Sequence, residues 1–567
     1  MKSAFANLGL ALQFLTLASS INGLLLGPQI QLPDGDTITG NYETLNNLES
    51  YLGIPFAAPP VGDLRFRPPQ AYNGSLNGFQ ALTYGPSCPQ MDPTAGGAAV
   101  VGALPNDVVS LVMQTPLFGA ILPLAEDCLT LNVYRKRGLS STAKLPVMFW
   151  IFGGGFEIGG SSTYTPEQLM AQGALQGQDF IYVSINYRLA AFGFLGGKEV
   201  KAEGSGNVGL LDQRLALQWV ADNIAAFGGD PSKVTIFGES AGAISVGHQI
   251  IGNSGDNTYK GKPLFRAAIM QSGSVLPTQD IDAPFPQLIF DTVANAAGCG
   301  TASDKMACLR GVPYSVMLAA CNSVPAMFSY ESLQLSYMPR PDGGFIPYQQ
   351  MQMVADGKYA RVPYIIGDQD DEGSLFALTN LNVTTNAEVA AYIGNVFPGM
   401  SSSQMTELLT VYPQDVTQGS PFNTGLLNAL TPENKRIAAF LGDVVFQAPR
   451  RFFLNNMPDV TRYTFDSQQL EGTPIAGTFH ANDIIWQYYV TGSGSLVYRN
   501  AFIAFANTLN PNSGGIYTLT NWPQYQNTNA LANNMLYINA VGLTTGKDNY
   551  RQAAISFLNE NYLDILA

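Results

Sequence analysis

Charge is scarce in this sequence. Asp, Glu, Lys and Arg make up only 12% of its 567 residues, about half the share usual for globular domains. The balance is acidic, with 28 basic against 42 acidic side chains and a formal net charge of −14. No basic stripe is available to neutralise phosphates, which excludes nucleic acid as a partner. The same balance argues against strong adsorption to anionic membranes. Histidine is scarcer still, with only His248 and His480 in the chain, and cysteine is limited to five residues. Beyond the N-terminus no apolar run reaches the length of a membrane span. Internal repeats, low-complexity blocks and long Pro/Ser linkers are also missing, so nothing divides the chain.

Apolar residues, by contrast, account for 46%, enough for a substantial core, and 58 Gly with 35 Pro imply many loops. Lys2 precedes a mostly apolar stretch, Ala4 to Leu17, which ends in the small residues Ala18, Ser19 and Ser20. This pattern predicts a secretory signal peptide over residues 1–20, a mature chain over 21–567 and an extracellular location. Export permits disulfides, and five cysteines leave one unpaired, although spacing alone does not define the pairing. Asn73-Gly74-Ser75 and Asn382-Val383-Thr384 fit the N-glycosylation pattern.

Strand-like runs alternate with helical ones. Val147 to Phe152, Phe180 to Ile185, Val234 to Phe237, Ala267 to Met270, Tyr364 to Ile366 and Tyr463 to Phe465 read as buried strands. Leu210 to Ala226 reads as an amphipathic helix closed by Gly228-Gly229. Strands separated by helices predict one α/β domain with a largely parallel sheet covered on both faces.

Gly238-Glu239-Ser240-Ala241-Gly242 is the chain's one G-x-S-x-G match. Flanking glycines let a strand turn sharply into a helix and lift the serine hydroxyl clear of the backbone. A plain turn is the bland alternative. The preceding strand run and the helix-forming stretch Ala241 to Ile250 favour a nucleophile. A serine needs a general base, and neutral imidazole suits that role. His248 lies in the helix after Ser240, about 12 Å along its axis at 1.5 Å per residue, too far to take the proton. That leaves His480, in Gly477-Thr478-Phe479-His480-Ala481-Asn482-Asp483, where an imidazole can reach back across the sheet edge. The acid that orients it should follow the serine in the chain. Asp368, Asp370, Asp371 and Glu372 cluster after the Tyr364 strand, where catalytic groups emerge from open parallel sheets. The residues themselves do not choose among these four. Gly153-Gly154-Gly155 follows the Val147 strand, and glycine backbones can approach an oxyanion closely; the amide of Ala241 is the expected second donor.

Six segments together resemble the type-B carboxylesterase/lipase family, which includes the cholinesterases. They are Gly53-Ile54-Pro55-Phe56-Ala57, Glu126-Asp127-Cys128-Leu129-Thr130-Leu131-Asn132-Val133, Phe152 to Phe156, Phe237 to Gly242, Gly367 to Gly373 and Gly477 to Asp483. The resemblance spans essentially the whole mature chain and is strongest to secreted fungal lipases and sterol esterases. It implies the α/β-hydrolase fold, Ser240 as nucleophile, Glu372 as the acid and His480 as the base. It also implies Gly154, Gly155 and Ala241 as oxyanion donors, and disulfides Cys88–Cys128 and Cys299–Cys308, with Cys321 outside the pattern. No metal or cofactor is required.

The resemblance further implies that residues 88–128 form a flap over the site. Between the two cysteines there is no Lys or Arg, and the acids are Asp92, Asp107, Glu126 and Asp127. Asn106 or Asp107 can cap a short helix carrying Val108, Val109, Leu111 and Val112, followed by Leu117, Phe118, Ile121 and Leu122. An opened flap would expose an apolar patch suited to an oil–water interface. Phe118 is its one aromatic residue, so it lacks the rings that hold a quaternary ammonium by cation–π attraction. The expected substrates are therefore long-chain lipid esters, as for a triacylglycerol lipase or sterol esterase. The alternatives are a general carboxylesterase for short soluble esters and, from another class, a non-catalytic adhesion protein of the same fold, against which the retained site residues argue.

Overall fold

The computed structural model describes residues 27–44, 46–92, 123–469, 473–490, 493–514, 521–526, 533–539 and 542–565. The expected leader and most of the expected flap, including its proposed helix, lie outside these residues. An eleven-stranded sheet organises the rest. In chain order its strands are β1 (Asn41–Glu43), β2 (Leu48–Pro55), β3 (Thr130–Lys136), β4 (Leu145–Ile151), β5 (Ile181–Ile185), β6 (Gly229–Glu239), β7 (Ala267–Gln271), β8 (Tyr364–Gln369), β9 (Arg462–Gln468), β10 (Asn534–Asn539) and β11 (Gly542–Lys547). In space they run β1-β2-β3-β5-β4-β6-β7-β8-β9-β10-β11. From β5 through β4 to β10 every neighbouring pair is parallel, and antiparallel pairs are confined to the two flanks. This is the largely parallel sheet of an α/β domain that the alternating pattern predicts, in keeping with the α/β-hydrolase fold that the resemblance implies.

The central strands are short apolar runs because both their faces are covered. Ile181–Ile185 is buried at every residue, and Trp150, Phe149 and Ile151 of β4 are fully enclosed. Helices α1 (Val208–Asn223), α2 (Ala241–Ile251) and α3 (Ser493–Thr508) pack on the sheet at β6. The expected helix over 210–226 is α1 followed by one 3₁₀ turn, Ile224–Phe227. Gly228 ends it in the left-handed conformation at φ 87°, which costs glycine little.

Both implied disulfides are present, Cys88–Cys128 and Cys299–Cys308, and Cys321 is buried and free. Cys88–Cys128 closes the base of the 88–128 loop. Arg65 reinforces that base, with Nε and Nη2 donating to the Glu126 carboxylate at 2.5 and 2.8 Å. Asn73 and Asn382, the two glycosylation candidates, are exposed. Among the described residues no helix is long and apolar enough to cross a membrane.

Candidate active site

Strand β6 runs straight into Ser240, whose backbone sits at φ 56°, ψ −127°, and α2 begins at the next residue. A side chain is rarely held in that conformation without surrounding structure that enforces it. Here the enforcement is close packing against β4. A Cβ on Gly242 would stand 2.1 Å from the Ile151 carbonyl oxygen, and one on Gly238 2.6 Å from the same atom. Strand and helix therefore cross at a distance that only glycine permits. The turn leaves the side chain of Ser240 at the carboxyl end of the sheet, with the residue 7% exposed.

His480 follows β9 and reaches the same end of the sheet. Its Nε2 lies 2.8 Å from Ser240 Oγ, and its Nδ1 lies 2.5 Å from Glu372 Oε2. The other oxygen of Glu372 accepts the backbone N–H of Gln369 at 2.7 Å, which fixes the carboxylate beside the imidazole. Hydroxyl, imidazole and carboxylate thus form one buried series along which a proton can leave the hydroxyl and the resulting imidazolium be stabilised. The rings of Phe446 and Phe376, 4.7 and 5.3 Å from the imidazole, keep water from it. His248 is elsewhere: buried in α2, its Nδ1 lies 2.7 Å from the Ile244 carbonyl oxygen, and burial pulls its pKa down to about 4.

The Gly153–Gly155 turn follows β4. Gly154 and Gly155 have φ 115° and 63°. A Cβ on Gly153 would meet the Glu239 carbonyl oxygen at 2.6 Å and the Ser240 Cβ at 2.9 Å, so this loop lies directly against the serine. The amides of Gly154, Gly155 and Ala241 donate to no protein acceptor among the described residues. Unpaired N–H groups in a turn packed against the serine could donate to an oxyanion formed there.

The acidic cluster is not a solvated loop. All four carboxylates are buried, and each faces a different partner. Asp368 accepts from Arg450 Nε at 2.9 Å. Asp370 lies 3.6 Å from Arg551. Asp371 accepts from Ser420 Oγ at 2.8 Å, Phe422 N at 2.8 Å and Thr478 N at 2.9 Å. Only Glu372 meets the histidine. Asp371 joins the acid loop to the histidine loop, because its own N–H also donates to the Thr478 carbonyl at 3.0 Å. Ser374 Oγ adds a bond to the Ala476 carbonyl at 2.6 Å.

Two nearby acids escape a reading of the sequence alone. Glu239 precedes the serine within the motif, and its Oε1 lies 3.4 Å from His480 Nε2. Burial pushes Glu239 up to about 8. Asp483 accepts from Gln271 Nε2 at 2.6 Å, and burial pushes it up to about 7. Burial opposes charge on His480, but attraction to Glu372, then to Glu239, outweighs it and raises the imidazole to about 9. The Glu239 share fades as that carboxyl takes up its proton. Glu239→Gln removes it permanently, so the imidazolium is less stabilised and titrates lower. The acidic limb of the kcat/KM profile on a soluble ester should therefore move toward lower pH. An unmoved limb, or one displaced upward, would contradict this electrostatic role.

The carboxylesterase family model matches residues 27–558. "Lipase 4" of Diutina rugosa is 54% identical over 543 residues, spanning 96% of this chain and 98% of that protein. A secreted triacylglycerol lipase of Gibberella zeae is 44% identical over 540 residues, covering 94% of this chain and 90% of the relative. The crystal structure of Aspergillus niger EstA superposes with a TM-score of 0.78 at 26% identity, covering 95% of this chain and 99% of EstA. Agreement of sequence, fold order and full-length coverage leads to one assignment: the chain belongs to the carboxylesterase family, and it is a carboxylic ester hydrolase.

Proposed function

We propose that the protein is a secreted lipase that hydrolyses long-chain, water-insoluble esters through an acyl-enzyme on Ser240. The observation that carries the mechanism is the Ser240–His480–Glu372 hydrogen-bonded series, at 2.8 and 2.5 Å. His480 Nε2 takes the hydroxyl proton as Oγ attacks the ester carbonyl carbon. Glu372 holds Nδ1–H and stabilises the imidazolium. The carbonyl oxygen, now negative, accepts from the amides of Gly154, Gly155 and Ala241. The C–O bond to the alcohol breaks as the imidazolium returns its proton to the leaving oxygen. Water, deprotonated by His480, then adds to the acyl carbon and releases the fatty acid from Ser240.

The preference for lipid is supported by the relatives, among them "Lipase 4" and a secreted triacylglycerol lipase. The uncharged, apolar character of most of the 88–128 loop is consistent with a flap that opens at an interface. Export is supported by the leader pattern over residues 1–20 and by relatives named as secreted. In this reading residues 21–567 form a single catalytic domain. Turnover on emulsified triolein and cholesteryl oleate, measured beside p-nitrophenyl acetate, tests the substrate class. A lipase should show its highest rates on the emulsions above the solubility limit. Activity confined to the soluble acetate would assign a general carboxylesterase instead.

A further inference from the structure

Leu426 and Leu427 are the most exposed large apolar side chains among the described residues, at 76% and 73%, and they are adjacent in sequence. Leu430, three residues on, is also exposed. An isolated exposed leucine needs no explanation, but a contiguous group on a constrained loop does.

The loop is constrained. Lys435, itself buried, donates from Nζ to Thr424 Oγ1 at 2.7 Å, Gly425 O at 2.9 Å and Leu427 O at 3.2 Å. Asn434 Oδ1 accepts the N–H groups of Leu430 and Thr431 at 2.9 and 3.0 Å, and Leu427 N donates to Thr424 O at 3.0 Å. The carbonyls of Thr424, Gly425 and Leu427 and the amides of Leu427, Leu430 and Thr431 are thus paired while the leucine side chains are exposed. That arrangement suits insertion into an apolar medium, where an unpaired amide or carbonyl is costly.

Its position matters as much. Asp371 accepts from both Ser420 and Phe422 at the start of the loop and from Thr478 of the histidine loop. Asn428 Oδ1 accepts from Ile475 N at 3.0 Å, five residues before His480. The leucines therefore stand on the rim that carries the catalytic series. No charged residue occurs from Gly419 to Pro432, in a chain of net charge −14. A surface of this kind fits a neutral apolar phase and not an anionic one.

We propose that Leu426, Leu427 and Leu430 form a fixed anchor that seats the catalytic rim on a neutral lipid-ester surface. The proposal rests on the lipase reading above, and it does not require any movement of the flap. In the full-length enzyme, Leu426→Ser/Leu427→Ser should partition about tenfold less onto a triolein emulsion stabilised with phosphatidylcholine, because two leucines no longer leave water. Hydrolysis of that emulsion should fall in parallel, while turnover of soluble p-nitrophenyl acetate stays within about twofold of the parent. Separately, Leu427→Trp should gain a blue-shifted emission component when the emulsion is added, relative to the parent protein. Equal partitioning of parent and double variant, or an equal loss on the soluble ester, would overturn the anchor. Emission from the Leu427→Trp protein that stays unshifted while it is bound would do the same. A parent enzyme that neither binds nor hydrolyses the emulsion would instead defeat the lipase reading itself.

Discussion

Ser240→Ala is expected to lower kcat on p-nitrophenyl acetate by about 10⁶-fold, the scale seen when a nucleophile that works as a unit with its base is removed. Alanine retains the Cβ and loses only the oxygen that lies 2.8 Å from His480 Nε2. Packing of the turn depends on Gly238 and Gly242 against Ile151, so the thermal midpoint should hardly change. Non-additivity makes the test sharper. His480→Ala should be about as damaging, and the double variant should be no worse than either single one. A Ser240→Ala protein retaining more than about 1% of parental turnover would mean that another group attacks the ester.

Glu372→Gln should cost about 10⁴-fold in kcat with little effect on folding. The carboxylate accepts Nδ1–H of His480, so Nε2 is left free of hydrogen and able to receive the serine proton. A glutamine amide can instead donate to Nδ1, which moves the ring proton to Nε2 and blocks transfer from Ser240 Oγ. Its side-chain carbonyl can still take the Gln369 N–H that Glu372 Oε1 accepts at 2.7 Å, so the loop should keep its shape. Besides the tautomer defect, the acidic limb of the remaining activity should move toward lower pH, because Glu372 is the largest attraction that raises the imidazole. Parental activity in this variant would move the orienting role to another acid near His480, of which Glu239 is the nearest at 3.4 Å.

Much of the architecture is legible in the sequence because the central strands are buried on both faces and so appear as unbroken apolar runs. Ala267 to Met270 and Tyr364 to Ile366 stand out for that reason, and the structure extends them only to Gln271 and Gln369. Beyond Ile366 strand β8 becomes Gly367-Asp368-Gln369, which looks like a loop until Arg450 is seen to neutralise Asp368 inside the protein. The spatial order of strands is different in kind. Nothing in the runs themselves says that β4 lies beyond β5, because that depends on crossovers between segments far apart in the chain.

By itself, the sequence determined the serine turn and narrowed the base to His480. Glycine is required where strand and helix cross too closely for a Cβ, and only two histidines exist to choose from. The residues themselves left the carboxylate open, the family resemblance pointed to Glu372, and only the tertiary structure gives the physical reason why Glu372 meets the imidazole. Asp368, Asp370, Asp371 and Glu372 are similar in chemistry and neighbours in sequence, and all are buried. They differ in direction, toward Arg450, Arg551, the Ser420 and Thr478 loops, and His480 respectively. Those partners come from segments as far as 181 residues away in the chain, Arg551 from Asp370. Local pattern carries the shape of a turn, whereas the pairing of buried charges is set by whatever the completed fold places opposite them.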